Sequence, residues 1–292
     1  MATRTEERHT IVLPDGRRLS YGVWGCAGGP PVFLMHGWPG CRLLGLQFAE
    51  SARATGVLLI VPDRPGIGGS DPLQGRTLLD WPSDIEMLAD SLGVDRIVVA
   101  GYSGGAPYAL ACAYSLKGRV TGVAVISGLG PLDSAGAMAC MPPHLRAIFS
   151  LCRTVPHAAR VPAALMAMGA QRFPRLTAYQ TMLASPASDR AVLARGRVLE
   201  NMRREYREAF RQGVRHVAYE VSLFAAPWGF PLNGLPAGVR IYHGEADRFV
   251  PARLARRLSA AIPGCRPRFL PAAGHFWIID HFGEVLEDLM TS

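Results

Sequence analysis

Short apolar runs alternate with amphipathic stretches over residues 10–126. Runs that are apolar on both faces predict buried strands of a parallel sheet, and apolar residues recurring every three to four positions predict helices. The predicted strands are 10–13, 18–24, 32–35, 57–61, 97–100 and 120–126, and the predicted helices are 43–55, 83–92 and 106–116. Pro14-Asp15-Gly16 joins the first two strands as a hairpin turn.

The strand pattern stops at Asp133 and resumes only after Pro236. Between them lie proline-interrupted helical stretches and one long charged helix, predicted over 192–212. Beyond them follow the predicted strands 239–243 and 266–270 and the predicted helices 252–262 and 283–290.

We therefore predict an α/β fold with a mostly parallel central sheet and helices on both faces. The predicted core domain comprises residues 1–132 and 233–292. A helical cap of residues 133–232 is inserted before the last two strands. An insertion of this length is typical of a lid over a functional site.

Composition and charge argue against several classes of function. The net charge is +8, but the 31 basic residues include a single lysine, and no nucleic-acid-binding module is recognisable, so nucleic acid is not a predicted partner. No apolar run is long enough for a membrane span. The charged N-terminus lacks the apolar stretch of a secretory signal, so we expect a cytoplasmic protein.

Cysteine and glycine spacing argue against a metal or organic cofactor. The six cysteines form no CxxC pair, which favours neither a disulfide framework nor a zinc site. No glycine fingerprint of a dinucleotide-binding loop is present. We therefore expect no cofactor and no metal.

A serine stands among three glycines where the strand 97–100 gives way to the helix 106–116, in Gly101-Tyr102-Ser103-Gly104-Gly105. Gly-x-Ser-x-Gly allows a sharp strand-to-helix turn that projects the serine hydroxyl above the sheet. The free N–H groups of the following helix suit a developing oxyanion. These features make Ser103 the candidate nucleophile.

A serine nucleophile needs a general base, and the base needs an acid that fixes its tautomer. Of the eight histidines, His275 follows the last strand, at the sheet edge where Ser103 is also expected. Asp247 follows the preceding strand and is the candidate acid. Glu245 and Asp133 remain alternatives. The order Ser103, Asp247, His275 fits a nucleophile–acid–base triad.

Five motif segments follow one another along the chain: 36–40, 63–70, 101–105, 244–251 and 274–275. In this order they resemble the α/β-hydrolase fold superfamily, and the chain resembles its capped serine esterase or lipase-like branch over nearly its whole length. The resemblance implies an oxyanion hole formed by the backbone N–H groups of Trp38 and Gly104. It also suggests that Trp38 and Tyr102 contact substrate and that His36 braces its loop. Epoxide hydrolases and haloalkane dehalogenases of the superfamily carry aspartate where this chain has Ser103.

The predicted function is hydrolysis of a carboxylic ester, or a related acyl bond, of a small molecule through an acyl-enzyme on Ser103. Acyl transfer, thioester hydrolysis, carbon–carbon bond hydrolysis and cyclisation on the same scaffold remain alternatives, because fold does not decide among them. A non-catalytic binding protein is a further alternative, against which the Ser–His–Asp set argues.

The predicted cap is strongly basic, with thirteen arginines and six acidic residues. A solvated helix face accounts for most of this charge. A sharper hypothesis is that one or two of seven arginines line the entrance and attract an anionic substrate. The seven are Arg195, Arg197, Arg203, Arg204, Arg207, Arg211 and Arg215.

Overall fold

Eight strands form one central sheet, in the order β1-β2-β4-β3-β5-β6-β7-β8. The structure is a computed structural model that describes residues 3–291, without the side chains of residues 3–5, 156, 174, 175 and 178. Strands β1 and β2 are antiparallel to their neighbours, and β3 to β8 run parallel. The strands are β1 Thr3–Val12, β2 Arg18–Cys26, β3 Pro31–Met35, β4 Leu58–Pro62, β5 Ile97–Tyr102, β6 Val120–Ile126, β7 Arg240–Gly244 and β8 Arg266–Leu270.

Helices cover both faces of the sheet, because its central strands are apolar on both sides. One face is covered by α2 (Trp81–Ser91), α3 (Ala106–Ser115) and α10 (Ala252–Ala261). The other face is covered by α1 (Gly45–Ala54) and α11 (Ile278–Met290). The predicted α/β class, with its mostly parallel sheet and two helical layers, is confirmed.

Six helices connect β6 to β7 on the carboxyl side of the sheet. They are α4 Pro143–Thr154, α5 Arg160–Arg172, α6 Pro174–Ala184, α7 Ala187–Leu193, α8 Gly196–Ala209 and α9 Arg215–Ala225. Within residues 3–291, no helix combines the length and the apolar character that crossing a membrane would require.

Two predicted helix boundaries are wrong. The helix expected over 192–212 is two helices, because Arg195 is extended (ψ 124°) and separates α7 from α8, which ends at Ala209. The last helix begins at Ile278 rather than at residue 283. The side chains of Ile278, Phe282 and Leu286 form one buried stripe. Because this stripe begins before Gly283, the helix continues on the N-terminal side of that residue.

Candidate active site

Ser103 occupies the turn between β5 and α3 with a left-handed backbone (φ +53°). Small neighbours are required there. A Cβ on Gly101 would lie 2.6 Å from the Gly105 carbonyl oxygen, and a Cβ on Gly105 would clash with the Met35 carbonyl oxygen. These contacts explain the glycines of the motif. The turn places half-buried Ser103 on the wall of a cavity above the carboxyl edge of the sheet.

His275 and Asp247 lie together at the same sheet edge. Nδ1 of His275 is 2.7 Å from Oδ2 of Asp247. The other carboxylate oxygen accepts hydrogen bonds from the backbone N–H groups of Phe249 (2.8 Å) and Val250 (2.9 Å). The carboxylate is therefore fixed in orientation, with one oxygen committed to the backbone and the other to the imidazole. His275 and Ser103 line the same cavity.

The alternative acids lie elsewhere. Glu245 is exposed and forms an ion pair with Arg256. Asp133 is also exposed. Of the three carboxylates that the sequence left open, the structure brings Asp247 to His275.

The backbone of His275 is held from two sides. The carboxylate of Asp189, on α7, accepts the backbone N–H of His275 at 2.7 Å and that of Phe276 at 3.0 Å. The hydroxyls of Ser127 and Tyr102 donate to the His275 carbonyl oxygen at 3.2 and 3.4 Å. Sequence reasoning missed Asp189, and the signal that could have found it is its helical spacing with the apolar residues Val192 and Leu193.

The backbones of Trp38 and Gly104 are adjacent across the cavity floor. A Cβ on Gly104 would lie 3.3 Å from the Trp38 backbone nitrogen and 2.9 Å from its Cβ. The indole Nε1 of Trp38 donates to the Val217 carbonyl oxygen at 2.7 Å, which ties this loop to α9. Trp38, Gly104 and Tyr102 all line the cavity. The backbone of Gly104 therefore approaches the backbone nitrogen of Trp38 at the wall of the cavity.

A buried ion pair braces this loop. Arg64 donates to the carbonyl oxygens of His36 (2.5 Å) and Gly37 (3.1 Å) and forms two hydrogen bonds to Glu220 of α9. Arg76 also donates to Glu220, at 3.0 Å. Burial pushes the Glu220 pKa up, but the two arginines outweigh it and lower that pKa to about 2. Burial and then Arg64 hold the His36 pKa well below its ordinary value, so His36 stays neutral. This neutrality fits the bracing role expected of His36.

The cavity has a volume of about 750 Å³ and mostly apolar walls, within the range typical of small-molecule sites. Its polar lining side chains include Thr177, Thr181, Glu205, Tyr206, Arg248 and His144. Within the described chain, no group of three or more His, Cys, Asp or Glu residues could hold a metal ion.

The hypothesis that charged-helix arginines line the entrance is wrong. The described residues lining the cavity include Arg248, from the loop after β7, and none of the seven arginines between 195 and 215. Several of the seven instead form ion pairs with acidic residues outside the cavity lining. Arg195 pairs with Asp280, Arg197 with Glu50, Arg203 with Glu200, and Arg204 with Glu7.

Glu205 is a buried carboxyl group in the cavity wall that sequence reasoning missed. Its Oε1 lies 3.4 Å from the backbone nitrogen of Cys41, which donates to it. Burial raises the Glu205 pKa to about 8, so the folded protein holds this group protonated at neutral pH. Glu205 shares the buried stripe of α8 with Val198, Met202 and Ala209. The sequence signal for its burial is that an acidic residue falls on the apolar stripe of this helix.

The raised Glu205 pKa makes folding stability depend on pH. The ordinary pKa is 4.5, so between about pH 4.5 and 8 the unfolded chain has lost a proton that the folded chain keeps. Glu205 makes its full contribution to the free energy of unfolding below about pH 4.5, and this contribution is lost as pH rises to about 8. Relative to the native protein, we expect the free energy of unfolding of Glu205→Gln to rise by up to about 1.4 kcal/mol for each pH unit in this window. The Tm of the variant should rise relative to that of the native protein by at least about 2 °C.

Glu200→Gln, at an exposed position on the same helix, is the matched control. The measurement is the Tm as a function of pH for the native protein, Glu205→Gln and Glu200→Gln. A Tm difference that stays constant from pH 5 to pH 8 for Glu205→Gln would contradict the assignment.

Comparison with known proteins bears on this site. Residues 32–288 match the model of the Alpha/beta hydrolase family. A non-heme chloroperoxidase from Streptomyces lividans is 30% identical over 129 residues, 42% of this chain and 45% of that protein. A 2-hydroxy-6-oxononadienedioate/2-hydroxy-6-oxononatrienedioate hydrolase from Cupriavidus pinatubonensis is 27% identical over 275 residues, 87% of this chain and 83% of that protein.

A thermophilic esterase from Thermogutta terrifontis superposes with a TM-score of 0.68 at 20% identity, covering 100% of this chain and 98% of that one. The chain spans less than half the length of the first curated relatives it matches. The likeness to the esterase structure concerns the fold alone.

Proposed function

This chain belongs to the alpha/beta hydrolase family, and on that premise we propose that it is a serine hydrolase cleaving a carboxylic ester, or a related acyl bond, of a small molecule. One observation carries the proposal. A fixed Asp247–His275 pair faces the cavity that Ser103 lines from its left-handed turn. A nucleophile, a base and an oriented acid at one sheet edge are what acyl transfer to serine requires.

In the proposed mechanism the Ser103 hydroxyl attacks the acyl carbonyl while Nε2 of His275 takes its proton. Asp247 accepts the Nδ1–H of His275, holds that tautomer and stabilises the imidazolium. The Trp38 and Gly104 N–H groups stabilise the oxyanion. His275 then protonates the leaving alcohol, and the same base activates the water that hydrolyses the acyl-enzyme.

We further propose the division into a core of residues 1–132 and 233–292 and a cap of residues 133–232. Three contacts support a cap that completes the site. Asp189 holds the His275 loop, Glu220 holds Arg64 beneath the Trp38 loop, and Glu205 lines the cavity. The cap then positions the catalytic loops as well as covering them.

A second candidate is hydrolysis of a carbon–carbon bond beside a ketone in a dicarboxylate like the one named for the C. pinatubonensis hydrolase. The likeness to that enzyme extends over 83% of its length. Exposed Arg248, next to Asp247 on the cavity wall, is a group that could pair with a substrate carboxylate.

A panel of p-nitrophenyl esters tests the ester-hydrolase proposal. We expect steady release of p-nitrophenol with water as the acyl acceptor, and we expect a fluorophosphonate to abolish it. Short and medium acyl chains should be the better substrates, because the cavity is of small-molecule size. A single burst that only an added alcohol, amine or thiol converts to turnover would identify a transferase instead. Absence of both burst and turnover, with cleavage of a 2-hydroxy-6-oxo dienedioate, would favour the second candidate.

A further inference from the structure

The helices α4, α5 and α6 expose large apolar side chains on their outer side. Of the eleven large apolar residues that are exposed in the described chain, nine fall between residues 151 and 183, each 49–66% exposed. They are Leu151, Val155, Val161, Leu165, Met168, Phe173, Leu176, Tyr179 and Leu183. So dense a cluster on one segment differs from the scattered exposed residues of an ordinary surface.

Helices α5 and α6 are inverted relative to an ordinary surface helix, whose large apolar residues face inward. On α5 the buried stripe is Ala163, Ala167 and Ala170, and the exposed stripe is Val161, Leu165 and Met168. On α6 the cavity side carries Thr177 and Thr181, and the outer side carries Leu176, Tyr179 and Leu183. The apolar outer stripes therefore contribute little to burial within this chain.

The same segment is basic and contains no acidic residue. Residues 134–188 include the arginines 146, 153, 160, 172 and 175, and no Asp or Glu. Arg146, Arg153, Arg160 and Arg172 are exposed. In the part of the chain that the structure describes, these four have no carboxylate partner, in contrast to Arg195, which precedes α8, and Arg204 on α8.

We propose that this outer cap face, the nine apolar residues with the four exposed arginines, binds the surface of an anionic phospholipid bilayer. Apolar side chains rimmed by arginines suit the boundary between headgroups and acyl chains, where the helices lie in the surface without crossing it. The arginines are attracted to anionic headgroups. Charge complementarity therefore favours an anionic bilayer as the binding partner of this face.

A second copy of the chain fits this face less well. A two-fold contact would bring the same patch of both copies together. The arginines would then meet arginines with no carboxylate between them, which disfavours the contact. An anionic lipid surface supplies the missing negative charge.

Docking would place the cavity close to the lipid. Leu145 and Phe149 of α4 and Thr177 and Thr181 of α6 line the cavity from the inner side of the same helices. An apolar molecule dissolved in the bilayer would then have a short path to the mostly apolar cavity. The binding itself does not depend on the reaction that Ser103 is proposed to perform.

Vesicle flotation with the full chain tests the proposal. Vesicles of phosphatidylcholine with about 30% phosphatidylglycerol are compared with pure phosphatidylcholine. We expect binding to the anionic vesicles that falls as salt rises from about 0.05 to 0.5 M. Leu165→Ser/Met168→Ser should weaken the partition coefficient at least about tenfold, because each lost buried methylene costs about 0.8 kcal/mol. Arg153→Gln/Arg160→Gln should weaken it by a similar factor.

Matched controls lie outside the patch. Val12→Ser replaces another exposed apolar residue, and Arg53→Gln/Arg266→Gln replaces two other exposed arginines. We expect both controls to bind like the native chain. Thermal melts show whether each variant is folded, and the arginine pair, whose two residues are exposed, keeps the test valid if the apolar pair unfolds.

Three outcomes would overturn the proposal. The first is no binding to anionic vesicles. The second is binding that the patch variants and the controls share equally. The third is a dimer in light scattering that Leu165→Ser/Met168→Ser dissociates, because the face would then be a contact between copies of the chain.

Discussion

Replacing Ser103 with alanine is expected to lower kcat for an activated ester by about 10⁶-fold, the loss typical when a serine nucleophile is removed. The fold should survive. Alanine keeps the Cβ of serine, and the left-handed backbone at this position (φ +53°) strains both residues alike. Steady-state rates on p-nitrophenyl esters measure the loss, and a thermal melt within a few degrees of the native protein shows that it is not unfolding.

A fluorophosphonate gives a second measurement on the same variant. The native protein should gain one adduct in an intact-protein mass spectrum, and Ser103→Ala should gain none. Ser127→Ala is the control, because Ser127 is a buried serine whose hydroxyl donates to the His275 carbonyl oxygen. An adduct that remains in Ser103→Ala and disappears in Ser127→Ala would refute Ser103 as the nucleophile.

The fold could be predicted from the sequence because the central strands are recognisable from their apolar pattern. Strands β3, β5 and β6 are apolar on both faces, and their carboxyl ends meet at one edge by the geometry of a parallel sheet. Residues that follow strands of this sheet, such as Ser103 after β5, Asp247 after β7 and His275 after β8, therefore fall near one another once the strand order is known. The choice among Asp247, Glu245 and Asp133 needed coordinates, because all three follow a strand and only their distances to His275 separate them.

The contributions of the helices between β6 and β7 could not be predicted from the sequence in the same way. Asp189, Glu205 and Glu220 belong to helices whose charged residues look solvated in sequence. Their burial depends on how α7, α8 and α9 pack on the Trp38 and His275 loops, which is a long-range property. In the sequence, the only local sign of this burial is an acidic residue at the helical spacing of an apolar stripe. Glu220 stands in this relation to Val217, Val221 and Phe224. The arginine hypothesis failed for the related reason that charge alone gives no direction to a side chain.

Asp247→Asn is expected to lower kcat by about 10³–10⁴-fold while leaving the fold intact, the effect of a wrong histidine tautomer in a Ser–His–Asp triad. The structure fixes how the asparagine must sit. The position of Oδ1 accepts the N–H groups of Phe249 and Val250, so the amide oxygen must take that place. The amide NH₂ then faces Nδ1 of His275 and donates to it. The histidine proton moves to Nε2, which can no longer accept the proton of Ser103.

Two matched variants separate this mechanism from a general loss of negative charge near the site. Glu245→Gln and Asp133→Asn each neutralise an exposed carboxylate in a loop that follows a strand of the same sheet. We expect each to change kcat by less than about twofold, because exposed charges interact weakly through water. The same ester panel measures all three variants. If Asp133→Asn cripples turnover and Asp247→Asn does not, the acid that orients His275 lies after β6, and the pairing of Asp247 with His275 has no part in catalysis.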